Sequence, residues 1–324
     1  MKPIFFPFVY LAILFFSQSA YSQSHNAMKT LDSSSLSSFA PTGTLRVGIN
    51  LGNPILANED PNSKKLHGVT IDIANEIGKR NALPVELIPF KTAGTTVDAL
   101  KSGNVDLVFV AIDPVRGADI SYTPAYIQIE GAYLVKASSP LKINEEVDIA
   151  GNEIVVGKGS AYDLYLTREI KNASLIRAAS SQAVVDDFMS GKGNIAAGVK
   201  QQLESDAKRY EGLRMLPGRF MVINQAIGIP KARAHYEKIT NYLSSVITDL
   251  KQSGFVAEAM KRHNIQGAKV ADWFNILALI GMQTLGDDDI RPMQFISDTL
   301  CQYGWWLWLP MHNKDCTGGL LKAL

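Results

Sequence analysis

The run VDLVFVAI, residues 105–112, constrains the fold of this 324-residue chain more than any other stretch. Asp106 apart, every position in it is apolar. A strand with one wet face alternates apolar and polar residues, whereas an unbroken apolar run must be covered on both faces. Helices packed on either side of a mostly parallel sheet supply that cover. The flanking sequence agrees. TLRVGIN (44–50) predicts a strand, and residues 68–81 predict a helix with Val69, Ile73, Ala74 and Ile77 on one face. PVELIPF (84–90) predicts a second strand, and residues 95–103 a short helix stopped at Gly103. Strand, helix, strand, helix, strand implies right-handed crossovers and a parallel sheet.

The same alternation then restarts. Strands are predicted at 131–136, 153–159, 174–179 and 194–199, with helices at 160–170, 181–193 and 200–210 between and after them. An extended run follows at 220–231, then helices at 235–252 and 255–264. The chain is too long for one compact core. Two α/β lobes joined by extended segments, with a cleft between them, are the expected architecture. In open α/β sheets, ligands sit outside the carboxyl ends of the strands. Arg116, in DPVRGADISYTPAY (113–126), lies just past one such end, and Ser160, in GKGSAYDLYL (157–166), just past another.

The ends of the chain read differently. Lys2, an apolar stretch from Ile4 to Phe16 and the small residues Ala20 and Ser22 read as a secretory signal peptide, residues 1–22, cleaved after Ser22. That makes the mature protein exported. Residues 23–43 are serine-rich and read as a flexible linker. At the other end, residues 268–324 have no assigned role. Their apolar segment WFNILALIGM is too short to span a membrane, and they hold both cysteines, Cys301 and Cys316, which would bridge a short loop in an oxidising compartment. The five histidines are scattered, so no metal site and no cofactor is expected. A net charge of +1 leaves no electrostatic footprint for nucleic acid.

A buried arginine is costly unless something anionic meets it. Arg116 therefore either pairs with Asp113 or Asp119, or serves a ligand carboxylate with its planar fork. GKGSAYDLYL leads from a strand into a helix, and Ser160 with Asp163 has the spacing of a capping box. The cap and a ligand role are compatible, because a helix start offers unpaired N–H groups and partial positive charge to an anion. Gly159 allows close approach to the backbone. Arg116 from one lobe and the Ser160 helix start from the other would grip one carboxylate between them.

LRVGIN, ALKSGNVDLVFVAIDPVRGADISYTPAYIQIEGAYLVK and GKGSAYDLYL, in this order and spacing, resemble the polar amino-acid type of periplasmic solute-binding proteins, bacterial extracellular solute-binding family 3. The resemblance runs from Thr44 to Gly267. It implies an α/β, two-lobe periplasmic-binding-protein-like fold of type II with a ligand cleft at the hinge. By residue, it implies that the first lobe comprises 44–136 and 223–267 and the second 137–222, with 131–136 and 225–231 crossing between them. It implies that Arg116 binds the ligand's α-carboxylate, with Ser160 and Ala161 as the anchors from the second lobe. Ala111 and Asp113 stand where the family often has threonines, so Asp113 is a departure. Lys200 and Gln201 stand where an aspartate usually accepts the ligand's ammonium. Lys200 would repel that group unless it points to solvent and leaves Gln201 to hydrogen-bond the ligand. Asn53 stands where an aromatic side chain is frequent. Gln225 either faces the cleft or is an ordinary strand amide.

The function implied is a monomeric periplasmic receptor that binds a small carboxylate-bearing ligand, an amino acid or related organic acid, by lobe closure and delivers it to an inner-membrane ABC permease. Two alternatives use the same scaffold. One is an exported dehydratase-type enzyme with Glu130 or Asp113 as a buried general acid. The other is a sensor that presents its ligand state to a membrane kinase.

Overall fold

A computed structural model describes residues 30–272. The segment read as a signal peptide, Cys301, Cys316 and all but the first residues of the 268–324 extension lie outside the described residues. The described part begins with a correction. Within the stretch read as a flexible linker, α1 (Ser33–Phe39) is a helix. Asp32 caps it, its side chain accepting from Ser35 N at 2.8 Å. Leu36, Phe39 and Ala40 recur at helical spacing among the serines, and Phe39 is fully buried. Serine content signals polarity, but three apolar residues on one face suffice to dock a short helix.

The first lobe continues with β1 (Leu45–Asn50), the hairpin β2 (Asn58–Glu59) and β3 (Leu66–His67), α2 (Val69–Arg80), β4 (Val85–Phe90), α3 (Ala93–Lys101) and β5 (Leu107–Ala111). A single turn, α4 (Pro114–Gly117), and β6 (Ile120–Tyr122) lead into the long β7 (Ile127–Lys136). The second lobe follows with β8 (Glu153–Gly157), α5 (Ala161–Glu169), β9 (Ser174–Ala178), α6 (Val184–Met189), β10 (Ile195–Val199), α7 (Lys200–Ala207) and β11 (Leu213–Met215). The chain then returns along β12 (Met221–Pro230) into α8 (Tyr236–Gln252), α9 (Phe255–Arg262) and β13 (Lys269–Val270).

The strands line up as β4-β1-β5-β12-β7-β10-β8-β9. Each half repeats one plan: second, first and third strand in parallel, then an antiparallel long strand that belongs to the other half's connection. The repeat is one of topology, with no trace in the residue string. It is the two-lobed α/β architecture that the resemblance implies.

The two long strands make the crossing. β12 pairs with β7 from Met221↔Gly131 to Gln225↔Ile127, then with β5 from Gln225↔Ala111 to Gly228↔Val108. β7 in turn pairs with β10 from Gly131↔Val199 to Val135↔Ile195. Partners therefore change at Gly131 on one strand and at Gln225 on the other. At Gly131 a Cβ would fall 2.7 Å from Met221 Cγ and 2.9 Å from Phe220 Cζ, so a larger residue there would have to displace both side chains. β7 starts four residues ahead of the strand expected from sequence, because Ile127 and Ile129 are buried by this pairing.

The apolar run at the centre behaves as the two-sided reading requires. Leu107, Phe109 and Ala111 face the large core that includes α2 and α8, while Val108 and Val110 face a second cluster with Val97 and Leu100 of α3. Asp106 is fully buried and satisfied by two arginines: Arg46 Nη2 lies at 2.7 Å and Arg233 Nη2 at 3.0 Å. This paired burial is how a carboxylate is tolerated beside an apolar strand.

Candidate functional site

The carboxyl ends of β1, β5, β8 and β9 meet at the line between the lobes. A cavity of about 30 Å3 lies there, with Asn53, Ala111 and Arg116 from the first lobe and Ser160, Ala161 and Ser181 from the second on its wall. Asn50, Tyr162, Val199 and Gln225 complete its polar and apolar sides. That volume holds one or two water molecules. A small organic solute needs more, so its entry requires the lobes to part.

Arg116 is 4% exposed. Pro114 starts its turn, and the Asp113 side chain caps it, accepting from Val115 N at 2.9 Å and Arg116 N at 3.3 Å. The guanidinium does not pair with Asp113 or Asp119, the two structural partners weighed from sequence. Its Nη1 donates to Ala111 O at 3.1 Å within its own lobe, and its Nη2 to Gly159 O at 2.8 Å across the cleft. Burial lowers its pKa, opposed by Tyr122 and Asp113 nearby. Among the described residues, Arg116 is thus a buried cation whose donors meet only neutral carbonyls.

The opposing wall is the start of α5. Ser160 caps it, its Oγ accepting from Asp163 N at 3.0 Å, while Asp163 Oδ2 accepts from Gly159 N at 2.8 Å. The N-cap expected at Ser160 is therefore formed, but the return bond of the expected box is not: Asp163 accepts from Gly159 N, one residue ahead of the cap, and Ser160 N donates to Gly157 O. Asp163 is in turn held by Arg177 Nε at 2.9 Å. Gly159 has φ +70, a left-handed conformation that glycine adopts without strain. It lies directly against Gly94 of α3 in the other lobe, so close that a Cβ on Gly159 would sit 3.3 Å from Gly94 Cα. Tyr162, fully enclosed behind Ser160, has its hydroxyl pKa raised by burial, with hydrogen bonds to Ser181 and Ser160 opposing.

Five of the seven residues singled out by sequence, Arg116, Ser160, Ala161, Ala111 and Asn53, line this cavity. Two do not. Asp113 is spent on its helix cap and on an ion pair with Arg168 Nη1 of the second lobe at 3.0 Å. Gln201 is turned away onto the backbone of Gly267, where a Cβ would collide with its amide. Lys200 is also diverted: its Nζ lies 3.7 Å from Glu130, which Arg219 Nη1 binds at 2.6 Å. Glu130 and Asp113, the carboxyl groups considered as general acids, are both committed to cations.

Asn50 and Ser181 were missed. Asn50 ends β1 and Ser181 lies three residues past the end of β9, the signal already used for Arg116 and Ser160. Gln225 does reach the cavity. Asn53 is 8% exposed and its amide oxygen has no partner among the described residues. Two further bonds join the lobes around the cavity, the Asp113–Arg168 pair and Gln182 Nε2 donating to Leu51 O at 2.8 Å.

A sequence model of the bacterial extracellular solute-binding proteins, family 3, matches residues 45–266. The glutamine-binding protein of Geobacillus stearothermophilus is 23% identical over 235 residues, covering 69% of this chain and 89% of that protein. Among solved structures, the solute receptor for L-cysteine of Neisseria gonorrhoeae aligns with a TM-score of 0.61 at 20% identity, over 70% of this chain and 92% of the receptor. An ancestral amino acid-binding protein, a precursor of cyclohexadienyl dehydratase, aligns with a TM-score of 0.59 at 19% identity, over 70% and 98%. At such identities the two structures speak for the fold alone.

Proposed function

The chain belongs to the bacterial extracellular solute-binding proteins, family 3, and from that premise we propose that Arg116 and the start of α5 grip the carboxylate of a small solute as the lobes close over it. Membership makes the protein an extracytoplasmic solute receptor of the ABC-transport type and not an enzyme. The finer reading is that the solute is an amino acid or related organic acid, delivered to an inner-membrane permease by a monomer exported through its N-terminal signal sequence. Glutamine and L-cysteine, named for two of the similar proteins, both bear a carboxylate.

The observation that carries the reading is the state of Arg116. It is buried, it borders the cavity, and its guanidinium donates to carbonyls of both lobes without an anionic partner among the described residues. An entering carboxylate would take over these donors and gain two parallel charge-assisted bonds. The unpaired amides at the start of α5 would meet its other oxygen. Each lobe alone satisfies half of the anion, so the ligand favours the closed form.

Calorimetry against a panel of amino acids and organic acids tests this. Arg116→Ala should weaken binding of whichever solute is found by about 2–5 kcal/mol, roughly thirtyfold or more, as truncation of one partner of a buried charge pair does. Arg116→Lys should recover only part of it, since an ammonium cannot form the bidentate fork. Unchanged affinity in the alanine variant would remove the assignment.

A further inference from the structure

We infer, building on the receptor reading above, that the solute is a 2-hydroxy carboxylate with no α-ammonium group: its carboxylate meets Arg116 and the start of α5, and its hydroxyl donates to the Asn53 amide. The first ground is the distribution of charge. The cavity wall carries one guanidinium and no carboxylate. The carboxylates of Asp113, Asp163 and Glu130 are already committed: Asp113 to Arg168 at 3.0 Å, Asp163 to Arg177 at 2.9 Å, and Glu130 to Arg219 at 2.6 Å with Lys200 at 3.7 Å. An ammonium taken from water into this site would lose its hydration and find no counter-charge, and buried charges are tolerated only when paired. A carboxylate would find Arg116, whose donors are otherwise spent on neutral carbonyls.

The second ground is independent of charge. Asn53 is held in place by its own backbone, whose carbonyl accepts from Leu56 N at 3.1 Å and Ala57 N at 3.2 Å. Asn53 lines the cavity, and its side-chain oxygen is buried with no partner among the described residues. An unpartnered buried acceptor is costly and calls for a donor. A neutral hydroxyl one carbon from the carboxylate provides one donor and adds no charge. The other polar side chains of the wall, those of Asn50, Ser160, Tyr162, Ser181 and Gln225, are neutral as well.

The test uses matched pairs that share a side chain: lactate and alanine, malate and aspartate, 2-hydroxyglutarate and glutamate, 2-hydroxyisocaproate and leucine. Calorimetry on the full mature protein should show the hydroxy acid at least tenfold tighter in any pair that binds. An amino acid binding as tightly as its hydroxy twin, or more tightly, overturns this inference and leaves the receptor reading standing. No binding across all the pairs, with the protein folded by circular dichroism, overturns both. A second variant checks the residue. Asn53→Ala should weaken the preferred hydroxy acid about tenfold and leave the acid lacking that hydroxyl unaffected. Equal losses for both, or none for either, would exclude the contact.

Discussion

Asp113 divides its two oxygens between two tasks. One holds the turn that presents Arg116, and the other reaches Arg168 on the far lobe. The carboxylate is buried and its partner is about one third exposed. Because the pair exists only when the lobes meet, its energy bears on closure and not on the stability of either lobe. Arg168→Met should weaken ligand binding by about 1 kcal/mol, roughly fivefold, and reduce the salt dependence of binding. Titrations at low and high ionic strength measure both effects; a variant that binds as wild type at both would show that the pair contributes nothing to closure. The residue string disclosed Arg116 and Ser160 because each follows an apolar strand directly. It could not disclose that Asp113 answers to Arg168, since the pairing depends on how two separately folded sheets approach. Gln201 and Lys200 illustrate the same limit. Their positions beside a strand end are legible, but their direction is set by Gly267 and Glu130, which arrive from elsewhere in the chain.

Two helices show how differently local signals can speak. At α5 the cap is written in the sequence, and Ser160 Oγ accepts from Asp163 N as that spacing predicts. Ser160→Ala should cost about 1 kcal/mol in urea unfolding, the usual loss for a removed N-cap. It should also weaken ligand binding, because the same turn faces the cavity. A binding loss without a stability loss would mean that the hydroxyl serves the ligand and not the helix. At α1 the composition pointed the wrong way. Seven residues rich in serine read as linker, yet Asp32 caps them and Phe39 is fully buried. Phe39→Ala should destabilise the protein by about 3–5 kcal/mol, whereas Ser34→Ala, on the exposed side, should stay within about 0.5 kcal/mol. Thermal or chemical denaturation of the pair decides whether α1 belongs to the folded unit. The longer elements were legible because burial on both faces leaves a pattern over many residues. α1 is short enough that two or three apolar positions carry its docking.

At the scale of the whole molecule, β7 and β12 exchange partners at the crossing, which is where the proposed closure would turn. Each lobe has strands satisfied within itself, so rotation at Gly131 and Gln225 need not break either sheet. The alternation of strands and helices announced two lobes, but the symmetric order of the strands emerges only from pairing. Opening must break Arg116 to Gly159, Asp113 to Arg168 and Gln182 to Leu51 together. Beside the cavity the lobes also touch at Gly94 and Gly159, backbone against backbone. A Cβ on Gly94 would lie 3.7 Å from Gly159 Cα, an ordinary contact, so Gly94→Ala should close and bind normally. Gly94→Leu has no such room and should prop the lobes apart, raising the radius of gyration in X-ray scattering and weakening binding at least tenfold. Full contraction of the leucine variant on ligand addition would show that the contact yields. The bare meeting of these two residues acts as a doorstop. How deep the chamber becomes when shut is fixed by two absent side chains outside it, so the size of solute admitted can drift through substitutions that never touch the solute.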